Sequence, residues 1–160
     1  IKDSKKISFK KRIILAEYIK KNSIYAIGSA TVQEIYKINI LNASLLAMKR
    51  SLDGLKTKPT SAYIDGIFAP KNVGMDCKTF IKGDEKITCI SAASILAKTE
   101  RDLFMIKLAN KHPNYQWHQN FGYGTKDHLL ELKKSGITKY HRKKFRPIHN
   151  ILVYNSREAQ

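Results

Sequence analysis

The segment that most limits the fold runs from Ser91 to Lys111, SAASILAKTERDLFMIKLANK. Ala92, Ile95, Thr99 and Ile106 fall on one helical stripe, and Pro113, which cannot continue a helix, closes the pattern near His112. A helix of that length needs a core to lie on. Three short segments read as strands: IYAIGSATV (24–32), SAYID (61–65) and KTFIKGD (78–84), the last running into a Gly-Asp turn. Helical patterns stand among them. FKKRIILAEYIKKN follows Ser8, a good N-cap, with Phe9, Ile13, Ala16 and Ile19 inward and a basic, wet opposite face. ILNASLLAMKRSL lies between Asn39 and the stop at Gly54. Strands separated by helices imply an α/β layer fold.

Further on, NYQWHQNFGYGT (114–125) mixes aromatics, amides and glycines without a period and reads as a loop of specific geometry. KDHLLELKKSG (126–136) reads as a short helix closed by Gly136. KYHRKKFRPI is a basic stretch that gives way to a polar, frayed tail over 150–160. With 160 residues, 42% of them hydrophobic, the chain suffices for a single domain, placed at 1–149. The opening IKDSKK is neither a signal peptide nor a natural start, so the sequence reads as part of a longer chain. Cys77 and Cys89 match no zinc spacing and read as reduced thiols of a cytoplasmic protein.

Charge narrows the partner. Thirty Lys and Arg against 13 acids give a formal net charge of +17, which opposes a compact state unless a polyanion or counterions screen it. No apolar run approaches the roughly 20 residues a bilayer span requires, which leaves nucleic acid as the leading partner and sets membranes aside. Residues 2–21 and 126–146 each hold 8 basic residues against 2 acids, and together supply 12 of the 17 net charges. Folded onto one side, they form a track for a phosphate backbone; apart, they are solvated helix faces. The five histidines read as structural or phosphate-facing.

Against this background two acids stand out. Asp65 ends an apolar strand, and ligands of open α/β sheets collect at the carboxyl ends of strands. Asp102 lies seven residues after Ile95 and four before Ile106, on the inward stripe of its helix. Both carboxylates are expected to face inward, where a pair suits a divalent metal such as Mg²⁺ or Mn²⁺ with phosphate completing the shell. On its own, Asp65 is read first as a common Asp-Gly turn, and Asp102 also suits a salt bridge with Lys98 or Arg101. The loop FGYGT can bring Tyr123 and bare backbone against a sugar or base, or simply form a tight turn around a packed ring.

Taken in order, many short motifs resemble bacterial ribonuclease HII, the type 2 ribonuclease H: Asp3-Ser4-Lys5-Lys6, Ile38-Asn39-Ile40-Leu41, Ala47-Met48, Ile64-Asp65-Gly66, Lys82-Gly83-Asp84, Ser91 through Lys98, Arg101-Asp102, Gly122 through Thr125 and His141-Arg142. The resemblance implies a ribonuclease H-like fold, a central mixed sheet flanked by helices. It implies an endonuclease that cuts RNA in RNA–DNA hybrids and at ribonucleotides embedded in duplex DNA, by two-metal hydrolysis on four carboxylates with Mn²⁺ or Mg²⁺. Asp65 and Asp102 match the third and fourth of these as catalytic and metal-holding residues. Tyr123 matches the tyrosine that lies against the ribonucleotide's sugar, and Ser4, Lys5 and Lys82 fall at positions near the nucleic acid or active site. The family is expected to act as a monomer.

The sequence also departs from the family. The first family strand, with Asp-Glu-Ala-Gly-Arg-Gly, is absent, so two of the four carboxylates and central strands are missing from this chain. Ile87 and Cys89 replace usual serines, Thr99 a usual valine, and Lys144 a frequent serine. An alternative expectation is therefore an inactive remnant that only binds nucleic acid through its basic surface.

Overall fold

The computed structural model describes residues 7–158. They form two compact units: residues 7–30 with 41–101, and residues 31–40 with 102–158. The chain crosses from one to the other three times, twice within a helix.

In the first unit, α1 spans Phe9–Asn22, and Ser8 Oγ accepts the Lys11 amide at its start. The predicted inward positions Ala16 and Ile19 are buried, and they pack on Ile95 and Leu96 with Leu15 and Ala92 beside them. Arg12 is buried as well, so α1 is less cationic on its outer side than its lysines suggest. Lys20 bridges to Glu100 at 2.7 Å, which together with Glu17 holds its ammonium above the usual lysine range. Residues 24–31 do not form the expected strand; no strand pairs with them among the described residues, and Ile24, Tyr25 and Ile27 are exposed. β-Branched residues favour strands through packing on neighbouring strands, and here the segment lies on a helix instead. Gly28 touches α2, Val32–Asp53, so closely that a Cβ would stand 2.1 Å from Ala47 O.

Helix α2 starts about two turns earlier in sequence than the expected helix and is broken at Asn39, whose φ of 67° departs from helical geometry. Thr31 and Glu34 cap it reciprocally: Glu34 N donates to Thr31 Oγ1 at 3.1 Å, and Thr31 N donates to Glu34 Oε2 at 2.8 Å. β1 is Ser61–Asp65, as predicted, and β2 is Asp76–Phe80. They pair in parallel, Ser61 with Asp76 and Asp65 with Phe80, and are the whole sheet among the described residues. Short helix α3, Gly83–Lys86, leads into α4, Thr88–Lys111, the long helix anticipated from the apolar stripe.

In the second unit, the loop expected at 114–125 contains a 3₁₀ turn, Pro113–Tyr115, and a short helix α5, Trp117–Asn120. Helix α6 is Lys126–Ser135, capped by the Thr125 side chain and ended by Gly136 at φ 77°. The expected tail is helical: α7 spans Arg146–Glu158, and Ile148, Ile151 and Leu152 pack on a core of Met105, Leu108, Tyr115, Trp117 and Leu132. Their spacing of three and four residues gives one apolar face, and burying it stabilises a segment whose polar composition suggests fraying. No helix among the described residues is long and apolar enough to cross a membrane.

Candidate active site

Asp65 closes β1 and is exposed, on the side of the strand that carries Ser61 and Tyr63. The expected inward orientation fails on strand periodicity: Ala62 and Ile64 take the buried positions, and alternation turns the next residue outward. Gly66 takes a φ of 101° and donates its amide to Phe80 O at 2.9 Å, which carries the ladder one residue past Asp65. The carboxylate nonetheless has a defined setting. Its Oδ1 accepts the Gly83 amide at 2.8 Å, and its other oxygen accepts no hydrogen bond among the described residues.

Gly83 is what permits that bond. A Cβ there would stand 2.6 Å from Ile90 Cδ1 and 3.2 Å from Phe80 Cβ. Just before it, Lys82 adopts a left-handed φ of 54°, a conformation that costs a non-glycine residue about 1 kcal/mol. Lys82 is therefore brought beside Asp65 through the next residue, with its side chain exposed. The sequence expectation included Lys82 but not the Gly83 amide, which only the contact of β1 with the start of α3 reveals.

A carboxylate held at one oxygen and open at the other suits a hard divalent cation, whose ligating carboxylates are commonly oriented by an outer hydrogen bond. Among the described residues no group of three or more His, Cys, Asp or Glu side chains converges in the way a metal requires. Asp65 fits as one donor of a set, not as a complete site.

The second unit carries Asp102 on α4, 1% exposed, so the inward expectation holds for this acid. A carboxylate so enclosed is kept only with compensating partners. Earlier on α4, the buried Thr99 hydroxyl finds no hydrogen bond among the described residues. Tyr123 belongs to the same unit as Asp102 and is 61% exposed. It follows a tight turn in which Tyr123 N donates to Asn120 O at 2.8 Å and the two central residues, Phe121 and Gly122, have φ of 49° and 79°. Asn120 ties this turn back to the body, its Nδ2 donating to Tyr115 O at 2.7 Å and its Oδ1 accepting from Gly122 N at 2.8 Å. In the same unit, all eight basic residues of the 126–146 segment are exposed. Ser4 and Lys5 lie outside the described residues. Cys77 and Cys89 are free.

Sequence reasoning gave the histidines a bland part, and for His128 and His141 the structural reading is right: they are 4% and 7% exposed. What it missed is that they touch each other. His128 Nε2 lies 3.3 Å from His141 Nε2, and the indole N–H of Trp117 donates to the same His128 nitrogen at 3.2 Å. Burial, with His128 as the next cause, lowers the His141 pKa to about 4. Burial likewise raises that of the Tyr115 phenol, which stacks on Trp117 at 5.1 Å. No spacing signal connects Trp117, His128 and His141, since they come from three different segments.

The architecture matches that of a type 2 ribonuclease H. Ribonuclease H2 from Pyrococcus horikoshii OT3 superposes with a TM-score of 0.76 over 93% of this chain and 78% of its own, at 23% identity. Closer in sequence are ribonuclease HII of Pelagibacter ubique, 55% identical over 95% of this chain and 82% of the relative, and that of Neisseria meningitidis serogroup B, 47% identical over 94% and 78%. The ribonuclease HII family model matches residues 1–148. The chain belongs to the ribonuclease HII family, a family of ribonuclease H hydrolases.

Proposed function

We propose that this protein is an endoribonuclease that hydrolyses the RNA strand of RNA–DNA hybrids and cuts at ribonucleotides embedded in duplex DNA, using Mg²⁺ or Mn²⁺, with Asp65 and Asp102 each proposed as a catalytic, metal-ligating carboxylate. Residues 1–149 are proposed as the catalytic domain. The observation that carries the reading is the Asp65 carboxylate, pinned at Oδ1 by the Gly83 amide and open at its other oxygen in a protein of net charge +17. An exposed acid with one oxygen open amid so much positive charge is suited to a cation that the substrate brings or shares. A bound ion would supply Lewis-acid polarisation of the phosphodiester and a source of hydroxide.

The chain's own residues orient and bind. Gly83 fixes the rotation of the Asp65 carboxylate, so little ordering remains for a ligand to impose. Lys82 offers a cation next to it for a phosphate oxygen. The exposed lysines and arginines of 126–146 hold the duplex by its backbone, and Tyr123 stands with them to meet the ribose, whose 2′-OH distinguishes RNA from DNA at a single position.

The test is cleavage of a DNA duplex containing one ribonucleotide, with Mg²⁺ or Mn²⁺ supplied. Because Asp65 is exposed, Asp65→Asn is expected to keep the fold and lower the rate at least about 100-fold, more than loss of an outer-sphere partner alone. Unchanged cutting by this variant refutes the assignment. Salt-sensitive binding with no metal-dependent cutting by the full-length protein points instead to a binding-only remnant.

A further inference from the structure

We propose that His128, fixed as one neutral tautomer by Trp117 and His141, is the positioning residue that sets Tyr123 against the substrate's sugar. The inference rests on the reading of Tyr123 given above.

The tautomers follow from donor arithmetic. An indole N–H can only donate, so the His128 Nε2 that receives it at 3.2 Å carries a lone pair. The His128 proton is therefore on Nδ1, which stands 2.8 Å from Tyr123 O and donates to it. At His141 the Thr138 amide, which can only donate, meets Nδ1 at 2.9 Å, so a neutral ring carries its proton on Nε2, 3.3 Å from that same His128 Nε2. The Thr138 hydroxyl stands 3.0 Å from the same Nδ1. Each ring nitrogen has one role and both rings are neutral. The opposite tautomer of His128 would set its Nε2–H against the Trp117 N–H and aim a lone pair at the Tyr123 carbonyl.

The output of this chain is Tyr123. Its carbonyl accepts from His128 Nδ1 and from Thr125 N at 2.9 Å, and its amide donates to Asn120 O, so the peptide groups on both sides of the residue are held. The ring then projects, 61% exposed, from a backbone with little freedom left. Fixing a contact residue before binding reduces the ordering that binding must impose. The titratable neighbours of the pair are Tyr115, with ring centroids 6.1 Å from His128 and 5.2 Å from His141, and His112, whose charge opposes protonation of His141; Glu131 acts on Tyr115.

Two amides separate the ring's functions. An asparagine places its NH₂ near the Nδ1 position and can still donate to Tyr123 O, whereas a glutamine reaches toward Nε2 and cannot. With the single-ribonucleotide duplex as substrate, His128→Gln is expected to lower kcat/KM about tenfold and His128→Asn to recover most of it, with Trp117 fluorescence reporting a folded unit in both. In a Tyr123→Ala background, His128→Gln is expected to cause no further loss, the non-additivity of residues acting through one another. If Tyr123→Ala is impaired and His128→Gln multiplies its loss in full, or if glutamine and asparagine behave alike, the positioning role is overturned. If Tyr123→Ala has no effect, the reading of Tyr123 fails first and the inference with it. Should neither amide be tolerated, Trp117→Phe, which removes the proton that fixes the tautomer, takes the same place in the cycle.

Discussion

Acidification tests the buried histidine pair directly. His141 is held at about 4, below the ordinary histidine value of 6.5, chiefly by burial and then by His128. A base whose folded pKa lies below its unfolded one binds more protons unfolded than folded between the two values. Its stability contribution is therefore intact above pH 6.5 and is lost as the pH falls toward 4. One proton contributes about 1.4 kcal/mol per pH unit, and across this window the loss comes to about 3 kcal/mol. The cost arises from placing a charge in a buried site, with His128 and His112 adding to it, and it outweighs the opposing backbone hydrogen bond with Thr138. Urea unfolding from neutral pH to about 4.5, followed by Trp117, the chain's single tryptophan, reads the unit in which the pair lies. Carboxylates titrate at the acid end in any variant, so the comparison is with His141→Gln. Wild type is expected to lose about 2 to 3 kcal/mol more than the variant over this range. Equal slopes for the two proteins refute both the neutral assignment and the tautomer chain built on it.

Three further outcomes follow from packing and charge. Thr99→Val, which removes a buried hydroxyl without a hydrogen bond, is expected to stabilise the protein by about 1 kcal/mol in denaturant unfolding. Gly28→Ala puts a Cβ 2.1 Å from Ala47 O and 2.5 Å from Ser51 N, both backbone, and is expected to cost about 3 kcal/mol, seen as a lower Tm by circular dichroism. Replacing Lys133 and Lys134, exposed in the last turn of α6, by alanine is expected to weaken binding of ribonucleotide-containing and all-DNA duplexes alike, and to reduce the salt slope of log K by about 2.

How legible each part was depends on the range of the interaction behind it. Ser8, Thr125 and Gly136 lie within a few residues of the helix ends they terminate, so α1 and α6 could be read from sequence. α4 was read from a stripe repeated along one segment, and β1 from a short apolar run bounded by Pro59 and Gly66. The Thr31–Glu34 capping box was equally local and was overlooked, because the β-branched residues before it suggested a strand. The same holds for α7, whose Ile148, Ile151 and Leu152 spacing was hidden under basic and polar composition. Asp65 was read correctly as a strand-terminal acid but turned the wrong way, since the inference from ligand sites outweighed the alternation that Ala62 and Ile64 already displayed.

By itself the sequence determined the local elements, the family through motifs in order along the chain, and the cationic character expected of a nucleic-acid partner. Tertiary structure alone decided that Gly83 lends its amide to Asp65, that residues 24–31 lie on a helix in place of joining a sheet, and that Trp117, His128 and His141 share one hydrogen-bond chain ending on Tyr123. Caps and stripes are written in residues a few positions apart, and periodicity exposes them. A hydrogen bond between side chains far apart in sequence leaves no period to find; its donors and acceptors acquire their roles only when folding excludes water and each must find a partner.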